Sequence, residues 1–316
     1  MRASLLISLS YFLGGIVTSP EQLVLVRIFQ GFASGLWPMD LAIMTLYAPR
    51  ERLGFSLGIM QGTLTAGGVV GPLLGGVLAE AFGMRASFYI GGIALFINFL
   101  AFTFIIKEPP MPQESAPLTA EEQNPWHLWR IPILRTMMIV STLAQMVTFI
   151  LMPVITTYIK HLAGDMENIV LVAGVVFSLG GIAGAIAAPL WGIFGARRSY
   201  FAAMCTAMSC AGTMLALQGI PDTLIPFAVM QFAVGLFGAG IHPSLNAVIA
   251  QHTPARLKGS VFGMLFAAQQ VGGFIGPLLG GIAATYLGMH VLFPMGGMLL
   301  MTLALFVWWR YVMRRP

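Results

Sequence analysis

Charge is scarce in this sequence, because Asp, Glu, Lys and Arg together make up only 9% of its 316 residues. Soluble domains carry roughly 25% charged residues. Hydrophobic residues make up 58% of the chain and its mean hydropathy is +0.86, which is more apolar surface than a soluble core of this length could bury. The apolar runs are continuous rather than alternating, which excludes a β-barrel. The composition therefore predicts an all-α polytopic membrane protein.

Motifs for nucleotide, metal or covalent chemistry are also lacking. The chain has no Gly-x-x-x-x-Gly-Lys-Ser/Thr loop, so an ATP-driven pump is not expected, and any uphill work must draw on an ion gradient. No metal-ligand spacing and no nucleophile arrangement stands out. Cys205 and Cys210 lie in one apolar run, and we interpret them as buried thiols. We therefore expect no enzyme activity, no cofactor and no metal.

The chain is organised around a repeated Gly-Pro-Leu-Leu-Gly-Gly box. It occurs at residues 71–76 and again at 276–281, an offset of 205. The same register holds outside the box, where Gly54 falls on Gly259. Many matches in one register predict two copies of one multi-helix unit in parallel orientation.

About ten apolar runs are near the ~20 residues that a bilayer requires. Four precede a polar linker and six follow it, which predicts an incomplete N-terminal half at 1–106, a linker at 107–131 and a six-helix half at 132–316. The predicted spans are 4–19, 21–46, 54–80, 87–106, 134–159, 169–193, 199–217, 224–250, 261–287 and 289–312.

The basic residues predict the orientation of these spans. With the N-terminus in the cytoplasm, only Arg85 and Lys160 lie in outer loops, and Arg27 lies within a span. This asymmetry predicts that both termini are cytoplasmic and explains the net charge of +5 without a nucleic-acid partner. The other basic residues fall on the cytoplasmic side: Arg2, Arg50, Arg52, Lys107, Arg130, Arg135, Arg197, Arg198, Arg256, Lys258, Arg310, Arg314 and Arg315.

Three segments together resemble the major facilitator superfamily, in its drug:proton antiporter branch. Residues 67–76 resemble the antiporter motif of that branch's fifth helix, and residues 27–31 its fourth-helix Arg-x-x-x-Gly motif. Residues 189–198, with Gly192, Arg197 and Arg198, resemble a degenerate copy of its loop motif. The resemblance covers essentially the whole chain. It implies a two-half helical bundle, and export rather than uptake.

The resemblance has one large departure, because the family has twelve helices and this chain shows four spans plus six. The antiporter helix of the first copy is third here and fifth in the family. The first two helices of the pattern are therefore missing from the sequence. Both an N-terminally shortened chain and a true ten-helix variant fit this observation.

The box residues are the predicted conformational element. A proline within a helix bends it, and small residues allow another helix to approach closely. We expect this kinked helix to pack tightly at the interface between the halves, although ordinary helix packing would use the same residues. The element comprises Gly67, Gly68, Gly71, Pro72, Gly75 and Gly76, repeated as Gly276, Pro277, Gly280 and Gly281.

Arg27 and Asp40 are the proton-coupling candidates, because charges inside a span are costly and usually face a cavity or a partner. The resemblance implies that Arg27 lowers the proton affinity of a nearby acid. Asp40 is the only carboxylate well inside a span, about three and a half turns from Arg27. Snorkelling of Arg27 to the interface, and contact of Asp40 with headgroups or basic loop residues, are the alternative interpretations.

Uncharged polar residues within the spans are cavity candidates, although some of them should bridge helices instead. His242 could titrate near neutral pH or be a structural hydrogen-bonding residue. The candidates are Gln30, Gln61, Gln145, His242, Asn246 and Gln269.

These features predict a monomeric secondary transporter of the inner or plasma membrane that exports small amphipathic compounds in exchange for protons. Its expected partners are a small-molecule substrate, protons and the lipid bilayer. A sugar or metabolite exporter of the same superfamily is the alternative function. A non-transporting fragment is the alternative from a different class, since four helices cannot reproduce a six-helix half.

Overall fold

The structure is a computed structural model that describes residues 2–105, 125–164 and 169–313. Within these ranges the chain is helical and contains no strand. The first half contains α1 (Arg2–Ile16), α2 (Pro20–Ala33), α3 (Leu36–Tyr47), α4 (Leu53–Phe82) and α5 (Met84–Phe104). The remainder contains α6 (Pro125–Arg130), α7 (Pro132–Ala163), α8 (Ile169–Arg197), α9 (Tyr200–Leu217), α10 (Leu224–Gly238), α11 (Ile241–Gln251), α12 (Lys258–Leu287) and α13 (Met289–Val307), which continues as a π-helix (Trp308–Met313).

A helix lies at each of the ten predicted spans. Eight helical segments in the described ranges are long and apolar enough to cross a membrane. The other two predicted spans are α1, an apolar helix of 15 residues, and the pair α2 and α3, which is divided by a break. The predicted fold class, a polytopic helical bundle in two halves, is confirmed.

The internal repeat is visible in the backbone as well as in the sequence. Pro49 and Pro254 both have φ −55° and ψ 146°, and each opens a short 3-10 turn before a 30-residue helix. Those helices, α4 and α12, end at Gly83 (φ 85°, ψ 157°) and Gly288 (φ 83°, ψ 153°). Glycine is needed at both ends because other residues rarely adopt positive φ. The two repeat units therefore share their turn geometry at an offset of 205.

Each repeat unit also contains one span broken into two shorter helices. In the first half, α2 ends before Ser34 and α3 begins after Gly35. The Ser34 hydroxyl donates to the Gly31 carbonyl at 2.7 Å, which satisfies one of the carbonyls that a helix end leaves unpaired. In the second half, Ala239 and Gly240 separate α10 from α11.

The most extensive helix packing is made by the repeat-related helices α4 and α12. α12 lies along α7 within the second half, and α4 lies along α8 across the boundary between the halves. The halves also meet where α3 contacts α12 and where α11 contacts α4. The predicted linker falls mostly on residues 107–124, which lie outside the described residues, and its last part is α6. The boundaries 1–106, 107–131 and 132–316 stay a prediction.

Candidate functional site

Arg27 and Gln30 lie one turn apart on α2 and are bonded to each other. The Arg27 guanidinium donates from Nη1 to Gln30 Oε1 at 2.9 Å, on an exposed face of the helix. A Cβ placed on the neighbouring Gly31 would meet nothing within 4 Å. The two side chains therefore form one polar unit on a face that no described helix covers.

Asp40 lies on α3 beyond the helix break, two residues after the buried Pro38. Its Oδ1 is buried and has no hydrogen-bond partner. No ion pair joins Asp40 to Arg27 in the described part of the chain. Buried polar atoms are nearly always satisfied, so an unsatisfied carboxylate oxygen is a candidate for binding a proton or a ligand.

The corresponding helix of the second half, α11, carries two more atoms of this kind. Ser244 Oγ and Asn246 Oδ1 are both buried without a partner, and the half-buried His242 precedes them on the same helix. Only four such side-chain atoms occur among the described residues, so three of the four lie on the repeat-related pair α3 and α11. The fourth, Gln218 Oε1, belongs to a residue that donates from Nε2 to Gln231 Oε1.

The glutamine candidates divide into different roles. Gln269 on α12 donates from Nε2 to Ser141 Oγ on α7 at 2.8 Å. Gln269 therefore bridges helices in this structure. Gln61 and Gln145 are half-buried and stay cavity candidates.

The glycines of the first box do not make the close inter-half contact predicted for them. A Cβ placed on any of them would meet nothing within 4 Å, so no described helix packs on their face. The second copy differs in part. Cβ atoms on Gly272, Gly276 and Gly280 would meet the α7 backbone, in the case of Gly276 at 2.9 Å from the Met146 oxygen, whereas one on Gly281 would meet nothing within 4 Å. The first-box set is Gly67, Gly68, Gly71, Gly75 and Gly76; the side chain of Pro72 lies outside the described residues.

The close contact between the halves is made instead by the beginning of α4. Cβ atoms on Gly58 and Gly62 would lie 2.5 Å and 2.7 Å from the carbonyl oxygens of Ala188 and Ala185 on α8. Gly54 and Gly192 contact each other backbone to backbone. Gly192 of the predicted loop motif therefore belongs to the inter-half contact, whereas Arg197 and Arg198 are exposed at and just beyond the end of α8.

The fold has a counterpart among solved structures. The human organic anion transporter MFSD10 superposes with a TM-score of 0.80 at 18% identity, over 96% of this chain and 75% of that protein. The family model described as Major Facilitator Superfamily matches residues 1–217 and 137–316, which together span the whole chain. The chain belongs to the Major Facilitator Superfamily. As a member, it is a multi-pass integral membrane protein.

Curated members of the superfamily resemble the chain along nearly its whole length. The uncharacterized MFS-type transporter YuxJ of Bacillus subtilis is 29% identical over 96% of this chain and 77% of its own. The multidrug resistance protein MdtG of Dickeya zeae is 26% identical over 98% of this chain and 76% of its own. MdtG of Salmonella typhimurium is 24% identical with the same two coverages.

Sequence reasoning missed the α4–α8 contact of this superfamily member, although a signal was present. Gly54, Gly58 and Gly62 recur every four residues, the spacing that places small residues on one helix face. We also missed Tyr200, whose hydroxyl accepts the Gly54 amide at 3.0 Å, and Lys258, whose ammonium donates to the Thr45 carbonyl at 2.7 Å. No local pattern marks partners that lie 146 and 213 residues apart.

Among the described residues, no group of three or more His, Cys, Asp or Glu side chains could hold a metal ion. Cys205 and Cys210 are free thiols, the first buried and the second half-buried. The unsatisfied polar atoms of the described interior therefore lie mainly on Asp40 and on the α11 residues Ser244 and Asn246.

Proposed function

We propose that this chain is a secondary transporter that exports small amphipathic compounds in exchange for protons by alternating access. The observation that carries the proposal is the placement of unsatisfied polar atoms on α3 and α11. Asp40, Ser244 and Asn246 each bury a polar atom without a partner, on the repeat-related broken spans of the two halves. Transporter sites lie near the bilayer midplane between such repeats, often beside broken helices.

The names of the relatives support drug export over other substrates. The MdtG proteins are named for multidrug resistance, and they match this chain over 93% or more of its length. The scarcity of charge within the spans suits apolar or amphipathic substrates better than sugars, which require many hydrogen-bonding groups.

The proposed location is the inner or plasma membrane, and the proposed orientation places both termini in the cytoplasm. The basic loops would then face inward. Asp40 would exchange protons, and Arg27 with Gln30 would form a polar unit on the first half. We propose a monomer as the transporting unit.

One structural observation favours the alternative that this chain does not transport alone. Among the described residues, no helix packs on the box glycines of α4, and none packs on Gly259 and Gly263 at the beginning of α12. In the repeat-related positions these faces are covered by α7 and α8. A chain with two uncovered helix faces could fold and yet fail to seal a substrate pathway.

Proteoliposomes test these possibilities in one experiment. The purified chain is reconstituted at a set orientation, loaded with a fluorescent cationic dye, and given an imposed pH gradient. Proton-coupled export predicts dye movement against its gradient that a protonophore abolishes. Movement that ignores the protonophore would indicate a facilitator, and a folded protein without flux would indicate the non-transporting alternative.

A further inference from the structure

Two side chains of the second half bind the same short segment of the first half. The Tyr200 hydroxyl accepts the Gly54 amide at 3.0 Å, and the Lys258 ammonium donates to the Thr45 carbonyl at 2.7 Å. Thr45 lies in the last turn of α3, and Gly54 in the first turn of α4. We call this pair of hydrogen bonds the basic-side contact, because the turn between Thr45 and Gly54 carries Arg50 and Arg52.

Both hydrogen bonds satisfy backbone groups that a helix cannot pair by itself. The first amides and the last carbonyls of a helix have no intrahelical partner. Tyr200 pairs such an amide of α4, and Lys258 places a positive charge on such a carbonyl of α3, where the helix dipole favours a cation. The second half therefore completes both helix ends that flank this turn of the first half.

The contact is one-sided within the repeat. The residue that corresponds to Lys258 in the first half is Leu53, which is buried and cannot donate. Thr45 corresponds to Ala250. Leu53 therefore cannot give the turn that begins at Pro254 the bond that Lys258 gives to the first half.

The geometry of the backbone makes the contact sensitive to movement of the halves. Next to it, Gly54 touches Gly192, and a Cβ on Gly54 would meet the Tyr200 hydroxyl at 2.8 Å. Hydrogen bonds weaken steeply beyond about 3.5 Å. Rotation of one half away from the other at this end would therefore stretch both bonds beyond this distance.

We propose that Tyr200 and Lys258 are positioning residues that hold the transporter closed on its basic side. Their hydrogen bonds to the first half must break once in each cycle. The inference rests on the alternating access proposed above. It identifies Tyr200 and Lys258 as residues that stabilise the state closed on the basic side. Removing either bond should shift the population towards the state that is open on the basic side.

Spin–spin distances across the contact test this without any transport assay. Labels replace the exposed Glu51 and Arg197, one on each half, in the full chain with Cys205→Ala and Cys210→Ser, reconstituted in lipid nanodiscs. Tyr200→Phe should raise the ratio of long to short distances about fivefold, as expected for one hydrogen bond. Lys258→Met should raise it about tenfold, because a charged donor is lost, and Lys258→Arg should restore part of the short population.

Tyr311→Phe is the matched control, since the Tyr311 hydroxyl donates to Thr136 Oγ1 at 2.9 Å within the second half. It should leave the distances unchanged. If Tyr200→Phe and Lys258→Met give the same distances as this control, the proposal is wrong. A distance shift without dye flux in proteoliposomes would support the contact while overturning the proposed transport, and flux without a shift would do the reverse.

Discussion

Gly58 and Gly263 occupy the same position of the two repeat units but meet different surroundings. A Cβ on Gly58 would lie 2.5 Å from the carbonyl oxygen of Ala188 on α8, whereas one on Gly263 would meet nothing within 4 Å. The obstacle at Gly58 is backbone, which cannot rotate away as a side chain can. The two glycines therefore lie at the same position in equivalent helices, but only Gly58 is packed against another described helix.

Gly58→Ala should weaken the inter-half contact, whereas Gly263→Ala should not. The added methyl group must push α8 away, at a cost of about 1–3 kcal/mol. Melting followed by fluorescence-detected size exclusion should show a lower melting temperature for Gly58→Ala alone. Equal melting of the two variants would contradict the described packing of α4 on α8.

Gly276→Ala and Gly71→Ala form a second pair, with the packing reversed between the halves. A Cβ on Gly276 would lie 2.9 Å from the Met146 oxygen, and one on Gly71 would meet nothing within 4 Å. We expect Gly276→Ala to destabilise the protein. Gly71→Ala should be neutral or stabilising by up to about 1 kcal/mol, because Ala favours a helix over Gly.

The same pair separates packing from gating. If the first box acts in gating, as predicted from its resemblance to the antiporter motif, Gly71→Ala should slow dye flux while the melting temperature is unchanged. Normal flux in a stable Gly71→Ala variant would leave the box without a gating role at this position.

Asp40→Asn should abolish proton-driven uphill export while leaving downhill movement of dye intact. Asn keeps the shape of the side chain but cannot exchange a proton. In proteoliposomes, acidifying the side from which protons enter should accelerate export by the native protein and have no effect on Asp40→Asn. Glu21→Gln, at the exposed beginning of α2, is the matched control and should retain the native dependence. An unchanged pH dependence in Asp40→Asn would assign the coupling to another group.

Gln269 and Ser141 should show an energetic coupling that a cavity residue would not. Their hydrogen bond at 2.8 Å joins α12 to α7. A double-mutant cycle with Gln269→Leu and Ser141→Ala should give a coupling of about 0.5–1.5 kcal/mol in thermal unfolding. Gln61→Leu serves as comparison, since Gln61 is a cavity candidate on α4 and should not couple to Ser141→Ala. Additive effects of Gln269→Leu and Ser141→Ala would show that the bridge contributes nothing.

The membrane class and the repeat could be predicted from sequence because each rests on many residues acting together. Long apolar runs fix the spans, and a constant offset of 205 fixes the correspondence that Pro49 and Pro254 later show in their dihedral angles. The break between Ser34 and Gly35 was not predicted. Its signals, one glycine and one serine, are weak beside the hydropathy of the run around them.

The candidate site was predicted only in part, because partners across the bundle leave no local pattern. Asp40 stood out as a carboxylate within a span, and its unsatisfied oxygen keeps it a candidate. The box glycines were expected at the inter-half contact, yet Gly54 and Gly58 form it. Both sets allow close approach, and only the position of α8 decides which one is used.

Within the part of the chain that the structure describes, a side chain packs over the break in the second half but not over the break in the first half, so the first break should bend more easily. Over the second break, the Trp191 ring lies against Gly240, and its Nε1–H donates to the Leu236 carbonyl at 2.9 Å. Over the first break, a Cβ on Gly35 would meet nothing within 4 Å. Amides beside Gly35 should therefore exchange with deuterium sooner than those beside Gly240, since local opening there disrupts fewer contacts. Bending during the cycle would then be concentrated in the span that carries both Arg27 and Asp40. The corresponding span of the second half would move with less internal bending.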